Sequence, residues 1–353
     1  MSRMNYTQRL ENMKMKKAGI LYFFALCFFF FTHLSFCQLV PNLGGQRAGI
    51  SSYQFLKIGA DARGAAMGDA YIAVVNDVGA IFWNPAGLTN TTTDQALFSH
   101  TEWLVDLKHE FAAVSFHVNE SNIIGLSFIS LTTDPMKVTT EFQPTGTGNY
   151  FTYGDIAVGL TYARKMTDQF SFGATARYVR ETIAELHADA LLVDLGTFYY
   201  MGLGTSRFSV VVSNFGNNVT PEGTVQSGNG TTYSSFQDFS PPTIFKLGYA
   251  FEPYQDDLHR VTASIQLNHP NDNVENIRIG GEYEYDKMFF LRAGIKRTVG
   301  ESFFGKSISS AEDFSFGTGV KIPLGFTAVN VDYAFSNFNE LGSVHRISIA
   351  VTY

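Results

Sequence analysis

Apolar and polar residues alternate with a period of two along most of the chain after residue 95. Ile156, Val158 and Leu160 alternate with small or polar residues, and the same pattern returns over 261–268. A β-strand places successive side chains on opposite faces, so this period predicts strands with one face against an apolar medium. We predict fourteen of them, at 95–104, 109–118, 122–131, 154–165, 170–182, 189–201, 207–214, 243–252, 261–268, 277–285, 288–297, 313–322, 325–336 and 343–353.

The connections between the predicted strands alternate in length. Short connections lie at 118–121, 166–169, 202–206, 253–258, 286–287 and 323–324. Long or variable connections lie at 132–153, 216–242, 269–274, 298–312 and 337–342. Transmembrane barrels have short turns on the periplasmic rim and longer loops outside, whereas a soluble β-sandwich has no reason to sort its loops in this way. The sequence therefore predicts an all-β fold, a 14-stranded antiparallel transmembrane β-barrel.

The stretch from Phe55 to Leu88, FLKIGADARGAAMGDAYIAVVNDVGAIFWNPAGL, lacks this alternation. It is rich in glycine and alanine and has too little apolar area to order itself as a separate core. Several inward positions of the predicted strands are also small, and a wall of fourteen strands encloses more space than its own side chains fill. We therefore expect the stretch to pack inside the barrel.

Two motifs in this stretch carry a family resemblance, the run GADARGAAMGDA at 59–70 and the run WNPAGL at 83–88. Together they resemble the N-terminal hatch of the FadL-like outer-membrane barrels, and more specifically the PorV/PorQ family of Bacteroidetes. The resemblance implies a hatch that plugs the lumen and a motif with a structural or gating role. Its residues here are Asp61, Arg63, Gly64, Gly68, Asp69, Trp83, Asn84, Pro85, Ala86 and Gly87.

The charged residues of the motif need partners, because an unpaired buried charge is costly. We expect Asp61, Arg63 and Asp69 to pair with charges that point inward from the barrel. The candidates are Arg177, Arg278, Glu282, Arg292 and Lys321. The pair Asn84-Pro85 predicts an extended or turn conformation ahead of the first strand, since proline restricts its own φ and the residue before it.

The first 37 residues match an export signal. A lysine-rich segment at 14–17 precedes an apolar run at 18–36, and Cys37 provides a small side chain before the expected cleavage point. An alternative is a lipoprotein acylated on Cys37, but Phe36 stands where a lipobox needs a small residue. We therefore divide the chain into a signal peptide at 1–37, an N-terminal extension and hatch at 38–94, and an outer-membrane barrel at 95–353.

Cysteine and charge narrow the possible functions. Cys27 and Cys37 are the only cysteines, so cleavage after residue 37 leaves none, and the mature chain needs no disulfide framework. The chain has 25 basic and 32 acidic side chains; without residues 1–37 these become 20 and 31, a net charge of −11. We expect no nucleic-acid partner, because the sequence has no basic patch to neutralise phosphates.

No residues are arranged for catalysis. The histidines are dispersed without zinc-ligand spacing, and the chain contains no nucleophile elbow and no phosphate-binding loop. We expect no enzyme activity, no catalytic residue, no cofactor and no metal. The loop at 216–240, rich in Asn, Gly, Thr and Ser, is either a flexible external surface or a partner-binding loop.

The resemblance leaves two functions open. Similarity to PorV/PorQ implies a component or accessory of type IX protein secretion or surface attachment, in contact with secretion-system subunits or exported cargo and with outer-membrane lipid. The wider FadL-like similarity implies passive transport of hydrophobic small molecules, with a hydrophobic ligand or lipid in the lumen. A transporter should show a continuous apolar path and a gap in the wall, whereas a platform should show a filled lumen and apolar side chains on its outer loops.

Overall fold

A computed structural model describes residues 49–226, 230–299 and 312–353 of the chain. Within these residues, fourteen antiparallel strands each pair with the next along the chain, and the last pairs with the first, so the sheet closes into a barrel. The strands are β1 Gln95–Glu102, β2 Lys108–Asn119, β3 Asn122–Thr132, β4 Tyr153–Lys165, β5 Phe170–Ile183, β6 Leu186–Tyr200, β7 Arg207–Phe215, β8 Ile244–Gln255, β9 His259–Pro270, β10 Asn276–Tyr285, β11 Phe289–Thr298, β12 Phe314–Leu324, β13 Thr327–Asn337 and β14 Ser343–Thr352.

The barrel confirms the predicted fold class, and each predicted strand coincides with an observed one to within a few residues at either end. The start of β6 and the end of β8 differ most, by three residues each. At β6, Ala184, with a φ of 52°, lies in a tight turn that lets pairing resume at Leu186. The signal peptide expected at 1–37 lies outside the described residues, as does the part of the expected hatch at 38–48.

Side chains alternate across the wall as the period of two requires. On β4, Val158 and Leu160 point outward and are exposed, whereas Ala157 and Thr161 point inward and are buried. An apolar outer face and a largely polar inner face are the arrangement of an outer-membrane barrel. The wall is thus matched to lipid on one side and to a polar filling on the other.

The two rims of the barrel differ. One rim, which we call the inner rim, carries short turns. They join β2 to β3, β4 to β5, β6 to β7, β8 to β9, β10 to β11 and β12 to β13. The opposite, outer rim carries the long connections 133–152 and 216–243. In the second of these, Val219 and Phe239 exchange backbone hydrogen bonds of 2.9 and 2.8 Å, so the described part of this loop folds back on itself.

Helical turns occupy the segment ahead of β1. They comprise a 3-10 helix at Gln54–Lys57, α-helices at Ala62–Ala66 and Ala80–Trp83, and a 3-10 helix at Pro85–Asn90, with two further 3-10 turns on the outer rim at Leu104–Asp106 and Asn339–Leu341. No helix among the described residues is both long and apolar enough to cross a membrane. We refer to residues 49–94 as the lumen segment.

Candidate functional site

The lumen segment is buried against the inner face of the barrel. Phe55, Met67, Tyr71 and Ile81 are each at most 1% exposed. Their surroundings come from the wall as well as from the segment itself, since the ring of Phe82 lies 6.1 Å from that of Phe111 on β2. This is why a stretch rich in glycine and alanine is ordered: the strands supply the apolar surface that it lacks.

Inward glycines of the wall give the lumen segment its space. A Cβ atom added at Gly294 would lie 2.1 Å from the carbonyl carbon of Met67, and one at Gly280 would lie 2.4 Å from its carbonyl oxygen. At Gly173 the same atom would lie 2.4 Å from the backbone nitrogen of Ala86. Backbone atoms cannot yield at such distances, so the wall accommodates the segment only because these positions lack side chains.

A buried cluster of charges joins the segment to the wall. Arg63 binds Glu282 on β10 through two hydrogen bonds of 2.9 Å, and it also contacts Asp77 at 2.8 Å. Glu282 in turn accepts a 2.6 Å hydrogen bond from Arg292 on β11, which pairs with Asp332 on β13. The expectation that Arg63 pairs with an inward charge of the wall is confirmed, and Glu282 is the candidate that it binds. One carboxylate therefore binds two guanidinium groups.

A second ion pair follows the Ala62–Ala66 helix in the chain. Asp69 contacts Arg278 on β10 at 2.8 Å and Lys296 on β11 at 3.9 Å. The expectation that Asp69 pairs with an inward charge is thus confirmed, and Arg278 is the candidate that it binds. Just before it, Gly68 has a φ of 64°, and its N–H donates to the Ser315 hydroxyl on β12 at 2.9 Å. The backbone and the charge of this turn are therefore both held by the wall.

Asp61 is the exception among the expected pairs. Among the described residues it has no ion pair, contrary to our expectation; it accepts hydrogen bonds from the Gly64 N–H at 2.7 Å and from the Trp83 indole at 2.6 Å. It therefore caps the Ala62–Ala66 helix and ties the two sequence motifs together. Gly64 is required at this contact, because a Cβ there would lie 2.6 Å from the Trp83 ring.

Burial and the nearby charge of Asp77 raise the pKa of Asp61 to about 6, although the hydrogen bonds from Gly64 and Trp83 favour its ionised form. Because folding raises the pKa of this carboxyl group above its ordinary value of 3.8, the group stabilises the folded state below about pH 4. This stabilisation is lost as the pH rises through about 6.

In a Trp103→Phe background, we expect the emission of Trp83 to titrate with a midpoint near pH 6, because its indole N–H donates to Asp61. Asp77→Asn should lower this midpoint by removing a neighbouring negative charge. Asp61→Asn should abolish the transition. A flat profile, or a transition that persists in Asp61→Asn, would contradict the assignment.

The WNPAG motif, near the end of the lumen segment, has the backbone conformation that the sequence predicts. Asn84 has an extended backbone, with φ −159° and ψ 101°, and Pro85 begins the following 3-10 helix. The Asn84 amide nitrogen donates to the carbonyl oxygens of Ile72 at 2.9 Å and Thr197 at 3.1 Å. Gly87 packs against Val75, where a Cβ would lie 2.5 Å from a methyl group. The motif thus joins the segment to β6 just before β1 begins.

Cavities lie on both sides of the lumen segment. The outer cavity, of about 410 Å³, opens toward the outer rim between residues 54–59 and the strand ends. The inner cavity, of about 280 Å³, is lined by charged side chains that include Arg63 and Lys321. Among the described residues, no three His, Cys, Asp or Glu side chains are grouped to hold a metal ion.

A wall residue named from the sequence does not bind the lumen segment, and two charged residues inside the barrel were not named. Arg177 pairs with Asp194 within the wall at 2.8 Å rather than with the lumen segment. Asp77, which bonds both Arg63 and the Tyr71 hydroxyl, was not among the expected site residues. Nor was Arg346 on β14, although its alternation with the outward Ile347 and Ile349 marks it as inward-facing.

The comparison with protein families decides the identity of this barrel. The model of the family "Type IX secretion system protein PorV" matches residues 44–270, which is more than half of the chain. The chain belongs to the PorV family. It is accordingly an outer-membrane β-barrel of the type IX secretion system.

Several solved structures of hydrocarbon channels have the same fold. The chain is 15% identical to the Pseudomonas putida toluene transporter TodX, with a TM-score of 0.54 over 83% of this chain and 97% of that one. It is 13% identical to the Ralstonia pickettii toluene transporter TbuX, with a TM-score of 0.53 over 84% and 97%. It is 12% identical to the CymD monoaromatic hydrocarbon channel, with a TM-score of 0.55 over 83% of this chain and 96% of that one. At these identities the likeness concerns the fold of the PorV-family barrel, and no curated protein matches the chain.

Proposed function

We propose that this PorV-family barrel is a membrane platform of type IX secretion, which binds protein partners through its outer loops and does not serve as a passage. The partners are secretion-system subunits or exported cargo. The observation that carries the proposal is the filled lumen: the segment is held by the Arg63–Glu282 and Asp69–Arg278 pairs and by wall glycines that contact its backbone.

The proposal includes the division of the chain. Residues 1–37 act as a cleaved export signal, 38–94 form an N-terminal extension and hatch, and 95–353 form the barrel. The motif residues from Asp61 to Gly87 have a structural role in this reading. Their contacts support it, since they bind backbone or charge partners in the wall and within the segment.

Exposed apolar side chains on the outer rim are suited to protein contacts. Phe142, in the connection from β3 to β4, is 93% exposed, and Val105, between β1 and β2, is 91% exposed. Leu341, between β13 and β14, is also exposed. Burying such side chains against a partner stabilises a complex by about 1.5–3 kcal/mol each. The inner rim carries a similarly exposed residue, Phe326, so a test has to compare the two rims.

The transport alternative requires a continuous path and an opening in the wall. Among the described residues, each strand pairs with both neighbours. Three local register shifts interrupt this pairing, at His117–Asn119, Val193–Leu195 and Phe251–Tyr254. From His117 and from Leu195 toward the strand centres the pairing is regular. The lumen segment lies between the outer and inner cavities. These features favour the platform.

The proposal predicts the proteins that co-purify with the barrel. A tagged chain extracted gently from its native outer membrane should retain secretion-system subunits or surface-anchored cargo, identified by mass spectrometry. The double variant Phe142→Asp/Leu341→Asp should reduce this recovery severalfold, because a carboxylate in an apolar contact must be desolvated. Phe326→Asp, equally exposed on the inner rim, should leave it unchanged. A wild-type barrel recovered alone would refute the platform.

A further inference from the structure

The turn between β1 and β2, on the outer rim, has a strained backbone. Val105 has a φ of 59° and a ψ of 42°, and Asp106 has a φ of 58°. These two left-handed residues form a tight hairpin turn, in which the Leu107 N–H donates to the Leu104 carbonyl oxygen at 3.4 Å. Such turns favour Asn-Gly or Asp-Gly, whereas a β-branched residue like valine is strained in this conformation.

The inner rim contains a turn of the same kind without a β-branched residue. Asp286 and Lys287, between β10 and β11, have φ values of 52° and 56°, and the Met288 N–H donates to the Tyr285 carbonyl oxygen at 3.1 Å. Both central residues are polar and exposed. A turn that only connects two strands is thus built from polar residues in this barrel, and the valine of the outer turn needs a separate explanation.

The side chain of Val105 gains no packing within the barrel in return for the strain. It is 91% exposed. Strained residues cluster at binding and active sites, because there the conformation serves a contact outside the fold. At Val105 the strained turn holds an apolar side chain out in water, where only a partner can bury it.

The turn is also a rigid part of the rim. The Trp103 N–H donates to the Leu107 carbonyl oxygen at 2.8 Å. The rings of Trp103 and Phe338 meet edge to face with centroids 5.1 Å apart, so the turn is joined to the connection between β13 and β14. That connection carries the exposed Leu341. Val105 and Leu341 are therefore two apolar side chains on joined turns, and binding them costs little conformational freedom.

Acidic side chains accompany this apolar pair. Glu102 and Asp106 are exposed, and neither makes an ion pair of 4.0 Å or less with a described residue. Lys108, the next basic residue along the chain, already pairs with Asp134 at 3.2 Å. Complementary charges select a partner and steer it into register. This surface therefore suits an apolar pocket that has lysine or arginine at its border.

We propose that the β1–β2 turn is a preformed contact for a folded protein partner. An apolar pocket of the partner takes Val105 and Leu341, and basic side chains at the border of that pocket face Glu102 and Asp106. The proposal rests on the platform function, and it adds which turn carries the contact and the chemistry of the partner's surface.

The first measurement needs no partner. Val105→Asn should raise the urea midpoint of the refolded barrel in detergent micelles, because asparagine adopts left-handed conformations more readily than valine. Val118→Asn is the matched control, since Val118 is an exposed valine of β2 without a left-handed backbone. It should not raise the midpoint. An unchanged or lower midpoint in Val105→Asn would overturn the strain at this residue and the inference drawn from it.

The second measurement is the amount of each identified partner that co-purifies with the full-length barrel from its native outer membrane. Val105→Asn should lower this amount by about tenfold, as expected when one buried apolar side chain is lost. Val105→Leu, which keeps an apolar side chain, should lower it by much less. Asp286→Asn/Lys287→Gly gives the inner turn its favoured residues and should leave the amount unchanged.

The outcomes separate this contact from the platform function. Full recovery of the partner with Val105→Asn would overturn the contact and leave the platform intact, whereas a wild-type barrel recovered alone would overturn both. Equal losses in Val105→Asn and in the inner-turn variant would also refute the contact. Asp106→Asn keeps a residue that tolerates the turn and removes its charge, so undiminished recovery with this variant would refute the basic border of the pocket.

Discussion

Glu282→Ala is expected to lower the free energy of unfolding of the barrel by about 3–5 kcal/mol. The carboxylate lies between Arg63 of the lumen segment and Arg292 of β11, at 2.9 and 2.6 Å, and its side chain is 1% exposed. Its removal leaves two buried guanidinium groups facing each other. Asp77 and Asp332 remain as their only ion-pair partners among the described residues.

The change can be measured as the urea midpoint of the refolded barrel in detergent micelles. Glu120→Ala, at an exposed inner-rim turn, is the matched control and should leave the midpoint unchanged. Arg63→Ala should also destabilise the protein, but by less, because Glu282 then keeps Arg292. In the double variant the two effects should not add, since both residues belong to one network. Unchanged stability and assembly in Arg63→Ala would refute the ionic attachment of the segment.

Gly280→Ala should displace the lumen segment, whereas Gly281→Ala, one residue along the same strand, should be tolerated. At Gly280 the added methyl group would lie 2.4 Å from the carbonyl oxygen of Met67. At Gly281, on the opposite face, its nearest neighbour would be the Thr262 carbonyl oxygen at 3.8 Å, an ordinary contact. We expect Gly280→Ala to cost about 1–3 kcal/mol, the usual range for overpacking.

Two readouts separate displacement of the segment from general unfolding. Limited proteolysis should cleave within 49–94 in Gly280→Ala while the strands stay protected, and ion conductance in planar bilayers should rise as the lumen opens. Wild-type protection and conductance in this variant would mean that the wall adjusts to the methyl group. The segment would then be less tightly held than the contact distances indicate.

The strands and the class of fold followed from the sequence because lipid and lumen impose opposite polarities on the two faces of every strand. The resulting period of two is visible in short windows, such as 154–165, without knowledge of their neighbours. Loop lengths then separated the barrel from a sandwich. The need for a filling followed from the small inward residues, and the need for ion pairs from the charges within a buried stretch.

Which groups meet was decided by the closure and register of the barrel. Arg63 and Glu282 are 219 residues apart, and Asp69 and Arg278 are 209 apart, so the candidates could be named in advance but not matched to one another. Asp61 could have paired with the wall, yet the turn that brings Trp83 back to it satisfies the carboxylate locally.

Arg346 shows more clearly that the sequence does not determine the partner of a buried charge. Its position on β14 predicted that it points inward, since Ile347 and Ile349 take the outer face. That no carboxylate of the described residues forms an ion pair with it depends on pairs formed elsewhere, such as those of Glu312 and Asp69. Local periodicity determines the face that a side chain takes, because it depends on neighbours in sequence. The partner of that side chain depends on the register of distant strands, so only the tertiary structure decides it.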